Sequence, residues 1–530
     1  MRNLELPGRS PVHGTRGMAA SSHTLSSLTA VNILQKGGNA IDAAVAAIAV
    51  QCVVEPGSTG IGGDCFCIIA PKGQDKLIGY NGSGAAPAAA MPEWFAKQGI
   101  TRIERHTPHA VTVPGAVDGW ARLIADHGRL SLADVLEPAI RFARDGYPIA
   151  SRVAFDFANE VGTLSKDPTA KRIFLPGGQP PRVGQLHRQP ELAKTLALIA
   201  EKGRDAFYTG PVAEDIVTYL RGLGGLHTMD DFAAHRGEYV TPIRTAYRGY
   251  DVCEIPPNGQ GLTALILLNI LAGYDMGQYA PMSPERLHLE IEATRLAYAD
   301  RNAFIADPRH AAVPVAELLS EAHAGDLRAL ITPGKAMKSV PRPQLPTHPD
   351  TVYLCVVDEE RTAVSFINSL FNGFGSGLVS PKTGVVLQNR GCGFVLDPAH
   401  PNCIAGGKRP FHTIIPGMLV KDGRAVMPFG VMGGAYQACG HAHVLGGFLD
   451  HGLDIQEAMD QPRVFPTAEG IVEVESGLPA ETLHALHRYG HPTGAPSKPQ
   501  GGGQAIWIDW DEGVLTGGSD PRKDGCALGY

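Results

Sequence analysis

No stretch of this sequence is long and apolar enough to span a bilayer, which takes about 20 residues. The most apolar one, Ala40 to Val54, carries Asp42 within it and runs into Glu55-Pro56-Gly57. It is expected instead as a buried helix, N-capped by Asn39, with Asp42 at the third helical position and Pro56 forcing its end. Basic blocks and basic stripes interleaved with aromatics are also missing, and the net charge is −7 with a pI of about 6.3. Nucleic acid is therefore excluded as a partner. The nine cysteines are scattered and odd in number, which gives no disulfide framework and suits a reducing compartment. Met1 to Arg9 hold no apolar core of an export signal, so a cytoplasmic protein with no membrane partner is expected.

Metal-ligand spacing is equally scarce. Cys65-x-Cys67 would place two thiols on one strand face, but no second pair is spaced to complete a zinc site. His441-x-His443 is a poor chelate, because residues two apart on a helix point different ways. These histidines, and His106 and His109, are expected at the surface or in the core. The glycine-rich loop Gly57 to Asp64 precedes the strand Cys65 to Ala70, the wrong order for a phosphate cradle. It is expected as a tight turn packed near a site.

What is present is core-forming sequence. With 44% hydrophobic and 19% charged residues over 530 positions, the chain can bury a large interior, and length alone would suggest three or four domains. Helical patterns run from Leu25 to Gln35, Leu130 to Arg144, Pro190 to Lys202, Gly210 to Gly222, Gly261 to Gly273, Pro284 to Phe304 and Gln437 to Leu449. They name no chemistry.

The informative stretch begins at a polar run from Val340 to Pro349 with four prolines, which exclude helix and interior strand. Two β-branched runs follow, Val352 to Val357 and Thr362 to Ile367, joined by the charged turn Asp358-Glu359-Glu360-Arg361; this is a hairpin pattern. Thr351 thus stands where a linker ends and a core strand starts. If the Asp350–Thr351 bond were cut, Thr351 would carry a hydroxyl and a free α-amine, a known nucleophile and base pair, the amine having a reference pKa of about 7.7 to 8.0. The local pattern alone is equally satisfied by a threonine that merely starts a strand.

The sequence resembles the γ-glutamyltransferase family of N-terminal nucleophile hydrolases over almost its whole length. The stretch Asp350-Thr351-Val352-Tyr353 to Val356-Val357-Asp358 is similar to that family's cleavage site. Further matches are Gly60-Ile61-Gly62-Gly63, Thr112-Val113-Pro114-Gly115, Ala297-Tyr298-Ala299-Asp300-Arg301, Phe374-Gly375-Ser376-Gly377, Lys408-Arg409-Pro410, Gly433-Gly434 and Ser519-Asp520-Pro521-Arg522. The resemblance implies an α+β fold, a four-layer αββα sandwich. It also implies cleavage into a large chain, 1–350, and a small chain, 351–530, intertwined as one unit. Thr351 would be the nucleophile, Ser369 its hydroxyl support eighteen positions on, and Gly433 and Gly434 the oxyanion donors. No cofactor or metal is implied. The partners would be a small amide and the two chains themselves, an αβ heterodimer alone or as a dimer of heterodimers.

Departures from the family pattern bear on the substrate. Pro92 stands where γ-glutamyl enzymes hold a carboxylate-binding arginine; Phe371, Arg390 and Gly393 replace their polar contacts to the α-amine, and His412 and Thr413 replace two serines. A γ-glutamyl group would leave its ammonium unpaired at Phe371, a mismatch worth up to about 10⁴-fold. Arg390, in the loop with Asn389, suits capture of a carboxylate, unless it pairs internally with a residue such as Asp397. With Phe371 shortening the pocket, the expected substrate is a small amide carrying a carboxylate, similar to that of oxamate amidohydrolases. A γ-glutamyl or glutaryl amide hydrolase or transferase is the alternative, and a non-processing binding protein a more distant one.

Overall fold

The computed structural model describes residues 4–5, 8–339 and 351–530. Asp350 and the proline-rich run before it lie outside these. Among the described residues, two seven-stranded sheets lie at the centre. In the sheet that follows Thr351 the order is Cys526–Gly529, Met18–Ser21, Val352–Val357, Ala363–Ser369, Asp64–Ala70, Ile78–Gly82 and Glu238–Val240. The second sheet runs Val12–Gly14, Leu515–Ser519, Gly502–Ile508, Arg424–Met432, Gly417–Lys421, Tyr250–Glu254 and Ile243–Tyr247. Both sheets therefore take strands from either side of Thr351.

The layering follows from alternation along the strands. Tyr353, Cys355 and Val357 point into the space between the sheets, where they meet Met418, Val420, Ile506 and Ile508. Val352, Leu354 and Val356 point the other way, into a core shared with the helices Thr24–Gln35 and Ala40–Val54. The second sheet offers Leu419, Met427, Phe429 and Val431 to the helices Gly261–Ala272, Pro284–Phe304 and Tyr436–Leu449. The result is the expected α+β, four-layer αββα sandwich.

The helix Ala40–Val54 is buried along its whole length, with Asn39 accepting from the Ile41 and Asp42 amides and Asp42 accepting back from Asn39. The hairpin that follows Thr351 secures it further: the Ala40 N–H donates to Asp358 Oδ2 at 3.0 Å and the Thr362 N–H to Asp358 Oδ1 at 2.9 Å. One turn carboxylate thus satisfies an orphan donor of the helix and closes the hairpin. Its pairing register places Val352 opposite Asn368 and Leu354 opposite Phe366.

Smaller expectations fare variously. Cys65 and Cys67 do share one face of their strand and are buried as free thiols in the helix-side core. Among the described residues no group of three or more His, Cys, Asp or Glu is disposed to hold a metal ion. His441 and His443 are core histidines, bonded to Glu254 at 2.7 Å and Glu290 at 2.8 Å. The stretch Val385 to Leu387 makes only isolated bridges, Val379 with Val386 and Gly62 with Leu387. No helix among the described residues is long and apolar enough to cross a membrane.

Candidate active site

Thr351 is buried, 1% exposed, at the head of its strand. Antiparallel pairing brings the end of the neighbouring strand beside it, and Thr351 Oγ1 lies 3.2 Å from Ser369 Oγ. Ser369 Oγ accepts the Phe371 N–H at 2.9 Å and an Arg390 Nη2–H at 3.0 Å. Either hydroxyl of the Thr351–Ser369 pair can be the donor. Gln437 Nε2, on the helix Tyr436–Leu449, adds a longer contact to Thr351 Oγ1 at 3.4 Å. The Thr351 hydroxyl is thus flanked by Ser369 and Gln437.

The loop Gly60 to Gly63 supports this corner by close approach. A Cβ on Gly63 would come within 2.2 Å of the Ser369 carbonyl oxygen, so only glycine fits there. Beyond Ser369 the chain turns through Phe371 at φ 83 and Phe374 at φ 54. These are left-handed conformations unusual for bulky residues and typical of functional corners.

Gly433 and Gly434 follow the strand Arg424–Met432 with φ of 125 and 57. Both are buried. Their carbonyls are engaged, Gly433 by the Tyr436 N–H at 3.0 Å and Gly434 by Gln260 Nε2 at 2.9 Å. Their N–H groups donate no hydrogen bond among the described residues. Buried, idle backbone donors are rare, and here Gly433 lines the same small pocket as Thr351, together with Met432, Gly501 and the cationic Arg152, Lys498 and Lys523.

Arg390 is fully buried. Nη1 donates to Thr413 Oγ1 at 2.9 Å, Nη2 to Ser369 Oγ, and the guanidinium lies 4.1 Å from the Phe371 ring centroid. Burial draws its pKa down to about 9, the Asp64 charge partly offsetting this, so it stays cationic at neutral pH. Asp397, its possible internal partner, instead accepts the Ala399 N–H and lines the same cavity as Phe371. Behind Arg390 stands Asp64, accepting from Gly84, Gly115 and Gln388 on Oδ1 and from His412 Nε2 on Oδ2 at 3.1 Å. Burial pushes the Asp64 carboxyl upward, but the His412 bond and the nearby cations outweigh it and hold it below its ordinary value. Burial and the Arg390 charge pull His412 down to about 3. It is neutral, its Nδ1 accepting the Ile414 N–H at 3.4 Å and its Nε2 donating to Asp64.

The cavity beside this constellation has a volume of about 570 Å³ and is walled by Phe371, Thr413, Ala435, Gly393, Phe411 and Arg301, among others. Of the five residues expected to touch substrate, Phe371 and Thr413 reach its wall. Arg390, Asn389 and His412 do not. Asn389 braces the loop instead, exchanging hydrogen bonds with Asn372 through its Oδ1 at 3.1 Å and Nδ2 at 2.7 Å. The physical reason is depth: each of the three is 0% exposed.

The sequence pattern described as Gamma-glutamyltranspeptidase matches residues 26–530. The chain belongs to the γ-glutamyltranspeptidase family. It is 39% identical over 527 residues to the glutathione hydrolase-like YwrD proenzyme of Bacillus subtilis, covering 98% of this chain and 99% of that one. It is 37% identical over 535 residues to the oxamate amidohydrolase proenzyme of Klebsiella pneumoniae, covering 97% and 99%. Among solved structures, the cephalosporin acylase from Bacillus halodurans superposes with a TM-score of 0.94 at 40% identity, over 100% of this chain and 99% of that one. The fold is that of the N-terminal nucleophile hydrolases, and as a γ-glutamyltranspeptidase-family member the chain is an enzyme of the amide hydrolase and transferase class.

Four residues around the γ-glutamyltranspeptidase-family centre escape sequence reasoning. Asp64, Gln260 and Gln437 come from three separate elements and meet only in the folded chain; no local pattern marks them. Arg301 lies inside a motif noted for its resemblance, Tyr298-Ala299-Asp300-Arg301, but nothing in the spacing says that it faces a cavity.

Proposed function

We propose that the chain is a self-processing amide hydrolase whose nucleophile is Thr351. The observation that carries this reading is the pairing of Thr351 Oγ1 with Ser369 Oγ at 3.2 Å beside the idle N–H of Gly433. In the precursor, Thr351 Oγ attacks the carbonyl carbon of Asp350, the C–N bond breaks in an N-to-O acyl shift, and water hydrolyses the ester. Chains 1–350 and 351–530 result, as an αβ heterodimer sharing both sheets. In the mature enzyme the new α-amine takes the Oγ proton as Oγ attacks the substrate amide. The Gly433 and Gly434 N–H groups receive the oxyanion, a kind of contact worth about 2.7 to 4 kcal/mol of barrier. The amine leaves with the proton, and water, activated by the same α-amine, hydrolyses the acyl-threonine.

The substrate in this reading is a small amide whose acyl part bears a carboxylate, oxamate being the smallest. The arginine-rich surroundings of the cavity and the likeness to an oxamate amidohydrolase support it. A cytoplasmic setting goes with it, supported by cysteines that all stand as free thiols. Intact-mass analysis under denaturing conditions, with amino-terminal sequencing, tests the reading. Two chains are expected, the shorter beginning Thr-Val-Tyr-Leu, with ammonia released from carboxylate-bearing amides. A chain that stays whole on prolonged incubation would sink it.

A further inference from the structure

A buried cation with no anion beside it among the described residues stands on the wall of the cavity next to the nucleophile. Arg301, in the last turn of the helix Pro284–Phe304, is 3% exposed. Its Nε donates to Asn302 Oδ1 at 2.9 Å and its Nη1 to Gln260 Oε1 at 3.2 Å, both neutral amides. Its guanidinium lies 4.2 Å from the Tyr298 ring centroid and 5.4 Å from that of Phe411. Among the described residues Nη2 donates no hydrogen bond and no carboxylate pairs with the group. Burial draws its pKa down only to about 10, so the charge persists at neutral pH. A guanidinium held out of water is ordinarily matched by a carboxylate.

The other arginines on this wall differ. Arg105 donates to the carbonyls of Gly373 and Gly375 and pairs with Glu160, and Arg102, largely exposed, stands 4.0 Å from Glu104. On this wall only Arg301 holds a charge both buried and unmatched. It is also coupled to the reacting centre, since the Gln260 that accepts from it donates to the carbonyls of Thr413 and Gly434. Along with Thr413 and Arg301, the cavity is lined by Phe371, Phe394, Leu396 and Phe411. Those are surfaces for a methylene chain. A cavity of about 570 Å³ falls in the usual range for small-molecule sites and far exceeds the needs of an amide whose carboxylate is bonded directly to the scissile carbonyl.

We propose that Arg301 receives the distal carboxylate of the acyl group, so that the amide cleaved is a monoamide of a dicarboxylic acid longer than oxalic acid. This rests on the amide hydrolase reading above and deepens it. The guanidinium fork suits bidentate capture of a planar carboxylate.

The test uses the processed wild-type enzyme with oxamate, succinamate, glutaramate, adipamate and, without any carboxylate, butyramide, following ammonia release. One of the longer monoamides should exceed oxamate in kcat/KM by tenfold or more. Arg301→Met should raise KM for that amide at least tenfold more than it raises KM for oxamate or butyramide, and Arg301→Lys should recover part of the difference. Intact mass reports whether each variant still forms two chains. If Arg301→Met fails to process, competitive inhibition of the wild type decides: glutarate should bind at least tenfold more tightly than butyrate. Oxamate as the best substrate, or an equal loss on every amide in Arg301→Met, would overturn the proposal, the latter making Arg301 a support for Gln260. Should no amide of the series be cleaved, the hydrolase reading fails separately. Calorimetric binding of glutarate, present in the wild type and lost in Arg301→Met, would still uphold the anion site, and its absence from the wild type would end it.

Discussion

Arg390 and Arg301 are equally hidden, 0% and 3% exposed, and neither donates to a carboxylate among the described residues, yet their surroundings give them opposite work. Arg390 does not reach the cavity: Nη1 and Nη2 donate to the hydroxyls of Thr413 and Ser369, and Nε is buried without a hydrogen-bond partner among the described residues. Arg301 faces a cavity with a donor still unmatched. A buried cation that touches only protein can act on its neighbours alone; here it polarises Ser369 and, through it, Thr351. A buried cation on an open wall can act on a ligand. Residue type and loop position point to Arg390 as the substrate contact, and only the third dimension separates the two.

The largest expected effects remove the centre that both arginines serve. Thr351→Ala deletes the attacking oxygen, so intact-mass analysis should find one uncut chain, with turnover lost entirely. Gly433→Ala should leave the fold but displace an oxyanion donor. Gly433 has φ 125, and a Cβ there would lie 2.8 Å from the Gly501 Cα, so the peptide must shift. A kcat loss of about 10²- to 10³-fold is expected, the same on every amide. A loss confined to long or carboxylate-bearing amides would place Gly433 on the binding side instead.

Much of the fold is legible in the sequence. The helix Ala40–Val54 is set by a capping asparagine, an apolar run and a terminating proline, all local signals. The hairpin after Thr351 is legible for the same reason, as is the αββα class once the motifs are taken in order. What stays hidden is assembled from afar. Asp64 meets His412 across 348 positions and Gln437 meets Thr351 across 86. Burial depth is illegible as well: Arg390, Asn389 and His412 carry polar side chains in a loop-rich region, where exposure is the ordinary expectation.

A smaller effect sharpens the contrast between the arginines directly. Arg390→Met leaves Ser369 Oγ without one of the two N–H groups that hold it beside Thr351. A fall in kcat of about ten- to a hundredfold is expected, equivalent to about 1.4 to 2.7 kcal/mol of barrier, alike for oxamate, glutaramate and butyramide, with KM within about threefold. Arg390→Lys should recover little, since one ammonium cannot reach two hydroxyls in the geometry of the fork. Should Arg390→Met instead raise KM only for amides that carry a carboxylate, Arg390 is the clamp after all and the distinction between closed and open cations falls.

The smallest effect extends the distinction to histidine. A closed titratable group can change its charge only at the cost of the fold, so it should report through stability rather than turnover. Burial pulls His227 and His235 down to about 4, from an ordinary value of 6.5. Between those values the unfolded chain binds a proton that the folded chain does not, so stability rises with pH through this window and is lost as pH falls below 6.5. Each contributes on the order of 1 to 2 kcal/mol by pH 5. His227 isolates the effect, because its Nε2 donates to the Val111 carbonyl at 2.9 Å and a glutamine amide can keep that bond without titrating. His227→Gln should match the wild-type Tm at pH 7 within a degree or two and lose less of it on going to pH 5. An identical loss in both proteins would mean that His227 is protonated in the folded chain, and that burial at this depth does not close a group in the sense argued for Arg390.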